Sequence, residues 1–550
     1  VTQIRGVNVV LLGITPFQYN PVTKELIVYT DLKVTVDFIG GNGQYGNNLY
    51  RSRWFEPILS DAILNYSSLP QIDFDHRFTN IMTENGYEYV IISPNNPEFL
   101  AWADTLKAFR TAQGIKTGVV KISDIGGNTV AGIKTWVTNA YNTWTVKPVA
   151  ICLLGDYGTD ATGNSCITSK LQPDSGYPDF ASDNYYADVN GDEMPEIVFS
   201  RIIANNNDQL TTLITKEINY ERNPPTNPYY YSHPITALGW QTERWFQLCS
   251  ELVGGYFHKV KGKTPVRINK VYQGTPGTQW SSATNTAAVV SYFGPQGTYY
   301  IPQTPDSLGG FDGGTPTQVV NAINTGAFLL QHRDHGEYIG WGEPGFNTNY
   351  IPQLTNTDLT FVYSINCETG AYHDPSGCPA EGSFVEVFYR YKHNGQNSGA
   401  LGMVCPSEVS YSFVNDTYVW GMYDNMWPDF MPTYGTTPAS RDEKPAFGMA
   451  AGKYFLQQSS WPYNTGDKLV TYRLFHMHGD AFLNLYSEVP QNLTVSHASA
   501  ILSGVNTFLV TANAGSFIAL TCNGQILGTA TGTGSPVSIS IPGTQIPGDI

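Results

Sequence analysis

From residue 87 onward, apolar runs of strand length alternate with longer segments whose apolar positions recur at helical spacing. Runs at 90–92, 118–122, 150–155, 197–202, 235–239 and 401–404 bracket helical patterns such as 98–113 and 210–220. Crossovers between parallel strands lay helices on either face of a sheet, so strands of this kind must be apolar on both sides. The expectation is an α/β fold, a parallel-rich sheet flanked by helices. Two of its strands end in reactive side chains. Residues 327–331 lead into His332-Arg333-Asp334-His335-Gly336, and 360–365 lead into Asn366-Cys367-Glu368. His335 and Cys367 stand 32 positions apart, the spacing of one crossover connection. On neighbouring strands both would emerge at the carboxyl-end crest, where open α/β sheets bind their ligands.

A cysteine nucleophile with a histidine base is one chemical reading of that pair; a core thiol and a satisfied strand-end histidine is the other. The remaining cysteines do not compete. There are seven in all, an odd number without the tight repeated spacing of a disulfide framework or a zinc site. Cys152 and Cys405 belong to apolar runs and read as core, while Cys249 in a helical pattern and Cys522 in the terminal β region read as structural. Cys166 and Cys378 sit in polar loops, where a disulfide stays open.

The flanking regions differ in pattern. Residues 25–30 and 32–38 alternate with period two, as antiparallel strands do, and after Pro490 short strands at 508–512 and 517–521 predict a small β-sandwich. At 550 residues the chain exceeds one core, and we expect three domains: 1–80, 81–487 and 488–550. The formal net charge of −16, without a Lys/Arg cluster, argues against a nucleic-acid partner. No apolar run reaches membrane-span length. The absence of an initiator Met and of a signal peptide reads as a processed or excised piece of a longer precursor.

Oxygen side chains at Asp188, Asn190 and Asp192, followed by Glu196, alternate as in calcium loops, though the glycine and final acid are not at EF-hand positions. An acidic turn between strands is the alternative. The paired glycines 309–310 and 313–314 lack the strand-helix context of a phosphate loop.

The run from His335 to Trp341, Asn366-Cys367, and Cys378-Pro379-Ala380-Glu381 stand in the order and spacing of gingipain-like cysteine peptidases of clan CD, family C25. Ser182-Asp183-Asn184-Tyr185-Tyr186 upstream and Phe475-His476-Met477-His478-Gly479-Asp480 downstream extend the resemblance over most of the chain. It implies a caspase/gingipain-like fold, a propeptide through about residue 70, and an immunoglobulin-like terminal domain. It also implies a Cys367-His335 dyad, with Glu243 orienting the imidazole and the backbone N–H groups of Gly336 and Cys367 forming the oxyanion hole. Trp341 and Asp416 fall on the substrate side, Asp416 matching the pocket acid of a lysine-specific member. The family's structural calcium points to Asp188, Asn190, Asp192 and Glu196, and catalysis needs no cofactor. Partners would be protein or peptide substrates and the chain's own propeptide as inhibitor, with Arg51 or Arg53 in the pocket, in a protein secreted or held at a bacterial cell surface.

The sequence departs from the family beside the dyad, where Asp334 and Glu337 add negative charge. His332 reads as a wall or surface residue. Glu243 could equally be a first-turn helix acid, with Asp306 and Asp312 as other candidates, and Asp416 a helix cap. Two other functions stay open: a sortase-like transpeptidase of a type IX secretion pathway, and a non-catalytic adhesion protein that keeps the fold.

Overall fold

The computed structural model describes all residues except 1, 38, 41–42, 79–80, 161, 175, 376, 379–381, 435–442, 503 and 544–550. Three residues of the Cys378-Pro379-Ala380-Glu381 motif, 379–381, therefore lie outside the described residues. The chain divides into two compact units, Val1–Arg51 and Ser52–Ile550.

In the smaller unit, Thr2–Ile4 pairs with Val7–Val9 and Phe17–Asn20 with Glu25–Val28, both antiparallel. The strand expected at 32–38 does not form over 32–37, which has no ladder partner. Period-two alternation measures fitness for a pleated surface, and the neighbouring segment found its partner on the other side instead.

The larger unit is organised on ten strands: β1 Tyr89–Ser93, β2 Thr117–Lys121, β3 Ala150–Leu154, β4 Val198–Ile202, β5 Ile235–Gln241, β6 Val266–Gln273, β7 Leu329–Arg333, β8 Thr360–Ile365, β9 Ala400–Pro406 and β10 Phe475–His478. Their order across the sheet is β6-β5-β7-β8-β9-β10-β4-β3-β1-β2, with every pairing parallel except β9 with β10. β1, β3, β4, β5, β7, β8 and β9 are buried along their whole length, which is why they read as continuous apolar runs.

Four helices bear on the site. They are α1 Glu56–Ala62, α2 Phe246–Lys259, α3 Val414–Met426 and α4 Pro445–Gln458. All residues of α3 are buried, so it is covered on every side, by α4, α2 and α1 among others. Near the C-terminus, Ser496–His497, Thr507–Thr511 and Pro536–Ser540 form one antiparallel sheet and Phe517–Cys522 with Gln525–Thr531 another. Phe508, Val510, Ile518, Leu520 and Ile539 form a common core for them. No helix among the described residues is long and apolar enough to cross a membrane. All seven cysteines are free, which closes the disulfide option at Cys166 and Cys378.

Candidate active site

Strands β5, β7, β8 and β9 are consecutive neighbours, and their registers align Leu238 with Arg333 and Arg333 with Ile365. Their carboxyl ends share one crest. Gln241 ends β5, His335 follows β7 by two residues, Cys367 follows β8 by two, and Ser410 lies in the loop after β9.

His335 is held by its surroundings. Its Nε2–H donates to Gln241 Oε1 at 2.7 Å, which leaves the Nδ1 lone pair free to take a proton. The amide is fixed in turn, because Gln241 Nε2 reaches Gln273 Oε1 at 3.5 Å. Tyr272 lies tilted at 4.5 Å from the ring and Phe246 edge-on at 5.2 Å. Burial, then Arg333 and Arg244, push the imidazole pKa down to about 4, so the ring is neutral near pH 7.

Cys367 is half-buried. Its Sγ accepts from the Ser410 backbone N–H at 3.4 Å and lies 3.6 Å from the Ser410 carbonyl oxygen. Burial raises the thiol pKa, while the Ser410 N–H and Arg333 oppose that shift. No hydrogen bond joins Sγ to the His335 ring among the described residues, so the resting pair is a neutral thiol beside a neutral imidazole. Hydrogen bonds of this kind are often long in a site without substrate and tighten when one binds.

The glycine after His335 has a steric cause. A Cβ on Gly336 would stand 2.6 Å from the Cys367 carbonyl oxygen and 2.8 Å from Asn366 Cγ. The His335-Gly336 and Asn366-Cys367 backbones are thus in direct contact, an approach a side chain would block.

Other expected site residues lie elsewhere. Glu243 is exposed in the turn after β5 and makes no hydrogen bond to His335; Gln241, two residues earlier, occupies that place as the last residue of the strand. Asp312 pairs with Lys270 at 3.2 Å and Asp306 receives the Ser307 N–H. Asp416 is fully buried. Its Oδ1 meets Arg333 Nε at 2.6 Å and its Oδ2 accepts the Phe413 N–H at 2.7 Å, so the helix-cap reading describes it and no carboxylate is left for a substrate. Trp341 is also buried, stacked on His332 at 3.9 Å with Nε1 donating to Ser364 Oγ at 2.9 Å, and forms no substrate wall.

His332, expected as a wall or surface residue, is core: its Nδ1 accepts from Asn366 Nδ2, its Nε2 donates to the Glu343 carbonyl, and burial pushes its pKa down to about 3. Asp334 packs against Gly239 and accepts the Glu343 N–H at 2.6 Å; burial pushes its pKa up to about 7. Glu337 is exposed. Arg53 pairs with Asp75 at 2.7 Å and lies over Phe517, contacts that include no site residue.

The acidic loop closes on itself. Asp188 Oδ1 accepts the Gly191 and Asp192 N–H groups, Asn190 Oδ1 the Asp192 N–H, and Asp192 Oδ1 the Met194 N–H. Glu196 accepts the Val189 N–H at 2.7 Å and Asn190 Nδ2 at 2.8 Å, and Lys134 donates to the Asp188 carbonyl. Burial pushes Glu196 up to about 8. These contacts are those of an acidic turn, with the Lys134 ammonium on the main-chain carbonyl of Asp188. Among the described residues the one set of three His, Cys or acidic groups with ligand atoms within 4.8 Å of one another is Asp374, Cys378 and Glu386.

Sequence reasoning missed Gln241, Ser410 and Arg333. Arg333 alone carried a signal, an arginine at the end of an apolar strand between two histidines. A further pair stands near Cys367: the Glu368 and Glu408 carboxyls lie together with the Tyr338 hydroxyl, and burial raises both, Glu408 to about 7.

A mostly parallel sheet flanked by helices, with a thiol and an imidazole on one crest, has the gingipain/caspase-like fold. Residues 82–486 match the model of peptidase family C25 and residues 2–69 that of the C25 propeptide, so the chain belongs to peptidase family C25. It is 23% identical over 541 residues to Gingipain R2 of Porphyromonas gingivalis, an alignment covering 96% of this chain and 63% of that protein. With Lys-gingipain of the same organism it shares 23% over 574 residues, 97% of this chain and 28% of the relative. This chain thus spans less than two thirds of either. The crystal structure of the Arg-specific cysteine proteinase gingipain R superposes with a TM-score of 0.64 at 18% identity, covering 84% of this chain and 93% of that one. The complex of Porphyromonas gingivalis RgpB pro- and mature domains gives 0.63 at 17% identity, covering 83% and 94%.

Proposed function

We propose that this chain is a secreted cysteine endopeptidase in which Cys367 is the nucleophile and His335 the base. The observation that carries the reading is the contact of the His335-Gly336 and Asn366-Cys367 backbones on one crest, with the imidazole held through Nε2 and its Nδ1 free. In this mechanism Nδ1 takes the thiol proton as Sγ attacks the scissile carbonyl carbon. The imidazolium then protonates the departing amine, leaving a thioester. Water, deprotonated by the same Nδ1, hydrolyses that thioester and restores the thiol. The Gly336 and Cys367 N–H groups would receive the oxyanion, where one such donor contributes about 2.7 to 4 kcal/mol to the transition state. No cofactor takes part.

Because the resting pair is neutral, the thiolate forms with substrate in place and is not stored as an ion pair. Gln241 fixes the tautomer without supplying charge, a role that falls to an amide here where an acid was expected.

Cleavage after Lys or Arg is the finer reading, supported by relatives described as Arg-specific and as Lys-gingipain. With Asp416 bound to Arg333, the candidate acid for a basic P1 side chain is the half-buried Glu368, next to Cys367 in the chain. The unit Val1–Arg51, within the propeptide match, is the candidate inhibitor.

The test is mass-spectrometric labelling of Cys367 by lysyl and arginyl chloromethylketones, before and after limited proteolysis, with His335→Ala alongside. Labelling that needs His335 is expected, and the faster reagent reports the P1 preference. A folded, proteolysed chain that neither reagent labels would end the reading of a basic P1 side chain, and one in which His335→Ala also leaves the iodoacetamide reactivity of Cys367 unchanged would end the peptidase reading.

A further inference from the structure

The propeptide match runs to residue 69, but the compact units part at Arg51 and Ser52. Residues 52–69 therefore belong to the propeptide by sequence and to the catalytic unit by packing. The packing is that of a core. Phe55, Ile58 and Leu59 are completely buried, and Ile63 and Leu69 nearly so. α1 lies on α4 and reaches α3. Asn425 Nδ2 of α3 donates to Asp61 Oδ2 at 2.8 Å, with both residues buried, and Gln458 Nε2 of α4 donates to the Ala62 carbonyl at 2.7 Å. The Phe55 ring meets Tyr454 edge-on at 6.4 Å. Trp54 meets Phe482 at 5.4 Å and Phe517 at 5.5 Å, and its Nε1 donates to Glu88 at 3.2 Å.

An inhibitor that must later leave covers a surface able to face water once it has gone. The surface under 52–69 is not of that kind, since it includes part of α3, whose residues are all buried, and the aromatic rings named above. Beyond the layer the chain changes character. Residues 70–78 form a loop without helix or strand, half or fully exposed, with Arg77 at its end.

We infer that residues 52–69 are a permanent layer of the catalytic body, so that whatever part of the propeptide match departs lies before residue 52. A cut in the 70–78 loop would leave the layer in place as a second, non-covalently held chain. The layer also bears on the site, because the first turn of α3 carries Asn415, whose Nδ2 donates to Ser410 Oγ at 2.6 Å, and Asp416, which holds Arg333. Ser410 is the residue against Cys367 Sγ.

The full chain, nicked by limited trypsin digestion and passed through gel filtration without denaturant, tests this. Intact-mass analysis of the folded peak is expected to find the peptide ending at Arg77 together with the fragment beginning at Phe78, separating only when the far-ultraviolet circular dichroism is lost. A free 52–77 peptide beside a folded fragment would overturn the inference. In the uncut chain, Leu59→Asp is expected to lower the melting transition of the catalytic body by several degrees or to prevent its folding. A transition unmoved by that substitution would overturn the inference equally, and neither readout depends on peptidase activity.

Discussion

Replacing Gln241 by Glu changes one atom in the contact that orients His335, and the consequence can be worked out. A carboxylate at the position of the amide oxygen, now 2.7 Å from Nε2, faces an imidazole whose pKa has been pushed down to about 4. Charge centres roughly 4 Å apart at an effective dielectric constant near 20 attract by about 4 kcal/mol, equivalent to about 3 pKa units. Desolvating the new carboxylate takes part of this back, so a rise of about 1 to 3 units is expected, placing His335 between about 5 and 7. An imidazolium that persists near neutral pH stabilises the Cys367 thiolate, and each unit by which the thiol pKa falls raises the thiolate fraction about tenfold below it.

The assay is the rate of iodoacetamide alkylation at Cys367 from about pH 5 to about pH 9, read by mass spectrometry. In the native chain the rate should fall about tenfold per pH unit on the acid side, because neutral thiol dominates. Gln241→Glu should hold a plateau that extends toward about pH 6, the raised imidazole setting its lower end. Gln241→Ala should keep the native slope but lower peptide turnover, since the ring loses its tautomer and orientation. Superimposable alkylation profiles for Gln241→Glu and the native chain, in folded protein, would refute the reasoning. A purely structural role for Gln241 would change stability and leave the profile where it was.

Gly336→Ala should reduce turnover by about a hundredfold with the circular dichroism unchanged, because its Cβ would lie 2.6 Å from the Cys367 carbonyl and must displace the crest backbone; full activity would dismiss the close approach. Asp416→Asn should destabilise the fold by about 3 to 5 kcal/mol in urea titrations, since it strands a buried guanidinium; a change of P1 preference at unchanged stability would restore Asp416 to the pocket. Glu196 is held up to about 8 by burial, so between its ordinary value of 4.5 and 8 the folded state keeps a proton that the unfolded chain releases. Its contribution is complete at low pH and is lost as pH rises toward 8, so the native chain should lose melting temperature relative to Glu196→Gln across that window. Calcium that removed this slope and raised the melting temperature would show that the loop is a cation site after all.

The difference between what was legible and what was not follows the range of the interactions. The strands at 90–92, 150–155, 197–202 and 235–239 appear within a residue or two of their observed bounds because burial on both faces leaves a local apolar run. The same pattern at 32–38 failed, since alternation says nothing of the partner a strand will find. The common crest of His335 and Cys367 was legible because a crossover length separates the two apolar strands that they follow.

The rest of the candidate site was not legible from the chain. Glu243 and Gln241 differ by two positions, and only the length of β5 decides which of them reaches the imidazole. Asp416 looks like a pocket acid until Arg333, 83 positions away, comes to rest against it. The propeptide boundary shows the same division: sequence similarity ends at residue 69, whereas the compact unit begins at 52 because apolar side chains of α1 cover α3 and α4. The sequence by itself determined the sheet and the family, and set a thiol and an imidazole at the ends of two neighbouring strands. The tertiary structure alone decided which neutral or charged group faces each of them, because hydrogen bonds and ion pairs depend on distances that no local periodicity encodes.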